Sequence, residues 1–199
     1  MKKIVANKLI DFLQKHTTIS DQNRDIYLFG LELYIDKACH ILLILAISLL
    51  YRRVLEGAVF VILYSLIRKL AGGYHAKTSK GCLLFTVFII NIVLYTISHF
   101  DFSNTKTFLF SILGSMFIYF IAPVDCLNKP VTEQMIKPIK RRLLFILCSI
   151  VLVYGILCNL NYSWTMVFPC TIFIQMLVII LGLKDSPRIE MVFRNLQGE

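Results

Sequence analysis

An all-α integral membrane protein is the fold class this 199-residue sequence predicts, on three observations. Its residues are 57% hydrophobic and 17% charged with a mean hydropathy of +0.72, more apolar content than one soluble core of this length needs. That content is gathered into uncharged runs of helix-spanning length. The 21 Lys and Arg, against 12 Asp and Glu, stand in short blocks between those runs. A formal charge of +9 could suggest nucleic acid, but basic blocks alternating with apolar runs describe a membrane protein with a basic face. No nucleic-acid partner is expected.

Taken in order, residues 1–37 are too charged and polar for a cleavable signal peptide, so the N-terminus is expected to be retained. Ile4, Val5, Leu9, Ile10, Phe12 and Leu13 recur among lysines there, which predicts an amphipathic helix at the cytoplasmic surface, against anionic lipid or against the loops. Two apolar runs of 14 residues follow, 38–51 and 54–67. At about 1.5 Å per residue each reaches about 21 Å, short of a roughly 30 Å hydrocarbon core, so residues 38–67 predict a short, tilted or partly re-entrant hairpin. Residues 82–100, 107–124, 143–162 and 163–183 are uncharged runs of 19, 18, 20 and 21 residues and predict four full transmembrane helices. The whole chain is then one membrane domain of up to six hydrophobic segments: a surface segment 1–37, the hairpin 38–67, a loop 68–81, four helices over 82–183 and a tail 184–199.

Orientation follows from Lys and Arg, which concentrate in cytoplasmic loops. Residues 1–37 hold six, 68–81 four, 125–142 five and the tail three, so 18 of the 21 fall on one side. The N-terminus, the 68–81 loop and the C-terminus are therefore expected in the cytoplasm. Arg52 and Arg53, at the hairpin tip, are the exception; a hairpin that only dips into the bilayer, or arginines that snorkel to the outer headgroups, would accommodate them.

The motifs of several intramembrane hydrolases are missing: the sequence has no H-E-x-x-H, no G-x-S-G and no paired glutamates within a span. The four His and six Cys never fall in C-x-x-C or H-x-x-x-H spacing, so neither metal nor cofactor is expected. Cys39, Cys126, Cys148, Cys158 and Cys170 read as small apolar residues. Cys82 differs. It lies seven residues after His75, at the end of a basic stretch containing Gly72, Gly73 and Gly81 and at the start of a membrane helix. With Ser79 as the cap, Cys82 would sit in the first turn, where the positive end of the helix dipole favours a thiolate. A continuous helix would hold His75 and Cys82 about 10.5 Å apart along its axis, so the loop must fold back for a histidine base to reach the thiol. The glycines permit such a turn. On spacing alone, a loop histidine and a helix-start cysteine without contact, in a plain basic cytoplasmic loop, is the favoured reading.

Arg68, Gly73-Tyr74-His75-Ala76 and Cys82 at this spacing, followed by Ala122-Pro123 and Asn128-Lys129-Pro130, resemble the accessory gene regulator B (AgrB) family of bacterial membrane-embedded cysteine endopeptidases. Size, basic loops and the number of hydrophobic runs agree over most of the chain. The resemblance implies a thiol protease of quorum sensing in the bacterial cell membrane. It would remove the C-terminal part of a small AgrD-like precursor and cyclise the remainder to a thiolactone or lactone autoinducing peptide. Carried over, Cys82 is the nucleophile and His75 its base. Arg68, Gly73 and Lys129 become supporting or substrate-binding positions, and a second copy of the chain becomes a partner. Backbone N–H groups around Gly81 and Cys82 are candidates for an oxyanion hole. A small peptide transporter or a noncatalytic membrane adaptor are the competing classes; the four long spans contain no Asp, Glu, Lys or Arg, which disfavours transport of charged substrates.

Overall fold

The computed structural model describes residues 2–16, 23–74, 76, 78–100, 102–124, 133–159 and 163–183, and every regular element among them is helical. The order is α1 (Lys2–His16), α2 (Arg24–Leu50), α3 (Val54–Ala71), α4 (Ser79–His99), α5 (Asn104–Ile121), α6 (Glu133–Asn159) and α7 (Val167–Leu183), with a 3-10 turn over Ser163–Met166 leading into α7. Arg24–Leu50, Lys80–His99, Asn104–Ile121, Gln134–Asn159 and Trp164–Leu183 are each long and apolar enough to cross a membrane.

Helix starts differ from the hydropathy boundaries for a physical reason. An apolar run stops at the first charge, whereas backbone hydrogen bonding continues through charged turns at headgroup level. The expected run 38–51 is thus the second half of α2, which begins at Arg24 and is 27 residues long, about 40 Å at about 1.5 Å per residue. Likewise α6 starts at Glu133, ahead of the apolar run, and carries Lys137, Lys140, Arg141 and Arg142 in its first turns. α5 stops at Ile121 because Pro123 cannot continue it; Ala122 and Val124 run on as extended chain.

α1 is separate from α2. It buries Ala6 and Ile10 completely while Val5, Leu9 and Phe12 face outward, and Asp11 pairs with Arg24 at 3.0 Å. The α2–α3 turn is tight: Tyr51, Arg52 and Arg53 donate their N–H groups to the carbonyls of Ile47, Leu49 and Ser48, and Arg52 has a positive φ of 55°. Arg53 pairs with the buried Glu56 at 2.8 Å, so one of the two tip arginines is neutralised locally. Gly57 lets the two helices meet, since a Cβ there would fall inside Ser48 Oγ. Gly57→Ala is therefore expected to lower stability by about 1–3 kcal/mol through overpacking. Adding Ser48→Gly should restore part of the loss in a thermal melt of the reconstituted protein.

α7, apolar but for Thr171 and Gln175, occupies the centre, packed against α3 and α5, with ten of its residues buried. Close approach again uses a small residue: Gly114 on α5 lies against Ile172 and Met176. Tyr154 on α6 donates to Thr107 Oγ1 on α5 at 2.7 Å, and Tyr51 donates to Asn91 Oδ1 on α4 at 3.1 Å, so polar groups inside the bundle find partners across helices. Lys140 stands over the Tyr119 ring, which sets the start of α6 beside the end of α5. The ends of α3, α5 and α7 and the starts of α4 and α6 gather at one end of the bundle.

Candidate active site

At that end, the chain leaving α3 turns back into the bundle. Gly72 and Gly73 have φ of 71° and 113°, a region that side chains other than glycine's rarely allow. Space excludes a side chain as well: a Cβ on Gly72 would strike the Val124 carbonyl, and one on Gly73 would lie 2.9 Å from the Val178 carbonyl and 3.1 Å from Arg68 Nη1. Both glycines are needed for the path the chain takes, as the sequence led one to expect of a turn here; Gly73 is also one of the supporting positions the resemblance implies.

The re-entrant segment is tied down on four sides. Val124 N–H donates to Ala71 O at 2.9 Å, forming a parallel bridge between Gly72 and Val124. Tyr74 N–H donates to Val178 O on α7 at 2.9 Å. Gln175 Nε2, also on α7, donates to Gly72 O at 3.2 Å. Arg68, in the last turn of α3, donates from Nη1 to Gly72 O at 3.4 Å and from Nη2 to Tyr74 O. Its guanidinium also lies over the Tyr64 ring, 5.8 Å from the centroid. Gly182 completes the seat on α7, where any Cβ would overlap the Tyr74 nitrogen. Arg68 thus engages the backbone of the segment that leads into His75.

Cys82 stands half-buried in the first turn of α4. The cap is Thr78, one residue earlier than expected from the sequence: its φ and ψ are extended and its Oγ1 accepts from Gly81 N–H at 3.1 Å. Cys82 N–H makes the first helical bond, to Thr78 O at 3.0 Å. Two amide groups suggested as oxyanion donors are therefore already engaged by Thr78. Ala76 lies against Gly81, and the Tyr74 ring meets Phe85, one turn beyond Cys82, edge-on at 5.4 Å. The segment and the first turn of α4 are consequently in contact. His75 and Lys129 lie outside the described residues.

Sequence reasoning passed over Gln175, Gly182 and Tyr64. Gln175 had a visible signal, an amide in an otherwise apolar run, and it is completely buried with Oε1 unpartnered among the described residues. Gly182 had none, because its role depends on a segment over 100 positions earlier. Tyr64 lies one turn before Arg68, on the same face of α3. Among the described residues no three His, Cys, Asp or Glu side chains converge as metal ligands.

The profile of the family described as accessory gene regulator B matches residues 6–180. An AgrB-like protein of Clostridium perfringens strain SM101 is 26% identical over 92% of this chain and 86% of its own length. A second, from strain 13 of that species, is 29% identical over the same shares. Accessory gene regulator protein B of Staphylococcus aureus strain bovine RF122 is 24% identical over 76% of this chain and 81% of its own. No solved structure matches the chain. A profile match over nearly its whole length places this chain in the accessory gene regulator B family.

Proposed function

We propose that this protein is a membrane-embedded cysteine endopeptidase of quorum sensing. It cleaves a small AgrD-like precursor and closes the N-terminal part into a thiolactone or lactone. One observation carries the reading: within a family named for the accessory gene regulator, a cysteine in the first turn of a membrane helix is packed beside a glycine segment that the bundle holds by several hydrogen bonds. Positioning of that kind is what a nucleophile and its base require.

The chemistry runs in two stages. The Cys82 thiolate attacks the carbonyl carbon of the scissile amide, a C–S bond forms, and the carbonyl π pair moves onto oxygen. On collapse the C–N bond breaks, and His75 gives its proton to the departing amine, leaving a thioester on Cys82. A thiol or hydroxyl within the bound peptide then attacks that thioester, surrendering its proton to His75 and returning Cys82 as the thiolate. Ring closure outruns hydrolysis when the internal nucleophile is held close, since effective molarities reach about 10⁵ to 10⁸ M in well-oriented cases. Arg68 and Gly73 serve by holding the segment that carries His75; Lys129 is a basic contact for the precursor. The end bearing Cys82 faces the cytoplasm of a bacterial cell, where 18 of the 21 Lys and Arg are assigned, and a second copy of the chain is a further partner.

Reconstituting the protein in lipid with the precursor peptide encoded beside it tests this reading. Fragment and cyclic product should both appear, and both should be missing with His75→Ala. If bound precursor is left intact by the wild type, a transporter or adaptor role replaces the protease. A thioester lies uphill of an amide, so the first stage should be reversible. Excess C-terminal fragment is accordingly expected to depress the yield of cyclic peptide, and an unchanged yield would contradict reversibility.

A further inference from the structure

Apart from the candidate active site, a groove of about 1090 Å³ runs between α5 and α6, lined by these two helices alone among the described residues. It extends from Asn104 and Asn159 at one end to Phe120 and Leu144 near the other, with walls such as Phe108, Ile112 and Val151 between. Phe120, Leu152 and Ile156 on its rim are more than half exposed, so it opens on the hydrocarbon around the bundle.

The end beside Tyr119 is basic. Positions three, four and seven apart share one face of a helix, so Lys137, Lys140 and Arg141 continue the stripe on which Leu144, Cys148 and Val151 line the groove. Lys140 holds its ammonium 5.5 Å from the centroid of the Tyr119 ring, itself part of the groove wall. α5 contains no acidic residue, and α6 none after Glu133. A second observation is independent of charge. Ser111 and Ser149, on the same two helices, return their hydroxyls to the carbonyls of Thr107 and Phe145 at 2.8 Å. Ser115 does not: it is 8% exposed, lines the groove one turn deeper than Tyr119, and its buried Oγ has no hydrogen-bond partner among the described residues. A buried hydroxyl left so is costly, and an acceptor entering the groove would satisfy it.

We propose that this groove binds an anionic phospholipid. Its phosphate lies against Lys140 and Arg141, an acyl ester carbonyl accepts from Ser115 Oγ one turn deeper, and the chains follow the apolar walls. Charge, acceptor and hydrocarbon succeed one another along the lipid as cation, hydroxyl and apolar wall do along the groove. A second copy of the chain is the poorer occupant. Inserted in the same orientation, it would bring its own basic block to the same end and repel this one. The site does not depend on the endopeptidase reading.

The test uses the full chain in dioleoylphosphatidylcholine vesicles with two photoactivatable probes, phosphatidylglycerol and phosphatidylcholine bearing the same diazirine acyl chain at the same mole fraction. Cross-links are mapped by mass spectrometry. A basic residue at headgroup level favours an anionic lipid by about fivefold, so the phosphatidylglycerol probe should label the groove about fivefold or more above the other. Labelling at the exposed Leu42 of α2 and Phe88 of α4 should be equal for both probes. Lys140→Gln with Arg141→Gln should bring the groove ratio to one, while unchanged labelling at Leu42 and Phe88 shows an intact bundle. Unlabelled diester phosphatidylglycerol should displace the probe about two- to tenfold better than its diether analogue, which has no ester carbonyl, and Ser115→Ala should erase that difference. Equal labelling of the wild-type groove by both probes would overturn the proposal, because the groove then takes lipid without selection. So would a ratio that survives loss of both cations, or ester and ether lipids competing equally against the wild type. A groove that neither probe labels, with Cys148 of two copies joined by an added thiol cross-linker, would overturn it in favour of a second copy.

Discussion

Replacing Cys82 with alanine is expected to abolish fragment release and cyclisation together while leaving the bundle folded. Loss of a covalent nucleophile costs four or more orders of magnitude in rate, leaving only what binding and polarisation provide. Structural damage should be small. The thiol is half-buried, and the ties of this turn run through the backbone: Thr86 Oγ1 donates to Cys82 O at 2.9 Å, and Cys82 N–H donates to Thr78 O. The melting transition of Cys82→Ala should therefore stay within the spread of neutral substitutions, about 0.5 kcal/mol. Of the other described cysteines, Cys39 and Cys148 are exposed, Cys158 is buried and Cys170 is half-buried. Alanine at each of these should retain turnover, which separates a nucleophile from general thiol content. Product yields by mass spectrometry, set against the melts, check both halves of the expectation.

Gly182→Val is expected to cost at least a hundredfold in turnover, though residue 182 bears no reactive group. A single Cβ at this position would already overlap the Tyr74 nitrogen and the Gly73 backbone, and neither is the yielding end of a flexible side chain. The re-entrant segment must then lift off α7, losing the bond from Tyr74 N–H to Val178 O. Displacing a catalytic group by about 1 Å can cost about 10²-fold, which sets the scale. Residue 182 sits in the last turns of α7, so the helix itself can still form. The discriminating comparison is iodoacetamide labelling of Cys82, which should remain near wild type while peptide cleavage collapses. Gly182→Val with full turnover would show that the seat on α7 is irrelevant to the reaction.

What could be read from the sequence, and what could not, divides by the range of the interactions involved. The four long apolar runs and the helical class follow from local composition, because a bilayer requires each crossing helix to satisfy its own backbone. Helix starts at Arg24 and Glu133 were hidden behind charges that end a hydropathy run without ending a helix. Gly72 and Gly73 were legible as a turn, yet their seat was not. It is built from Val124, Gln175, Val178 and Gly182, residues that nothing local connects to position 72. Cys82 was legible from its place at a helix start in a basic loop. Thr78 rather than Ser79 took the cap, which also decided the fate of two amide donors. Arg68 read equally well as a topological charge or a substrate contact, and only its bonds to two carbonyls distinguish a positioning role.

The central claim is a covalent intermediate on Cys82. Its most direct test uses the wild-type protein in lipid with a precursor whose internal thiol or hydroxyl has been removed, so that the acyl group cannot leave by ring closure. Intact mass should show one adduct equal to the N-terminal part of that peptide, mapping to Cys82 and sensitive to hydroxylamine as a thioester is. Release of the C-terminal fragment with no adduct on Cys82, or an adduct on another residue, would contradict the account.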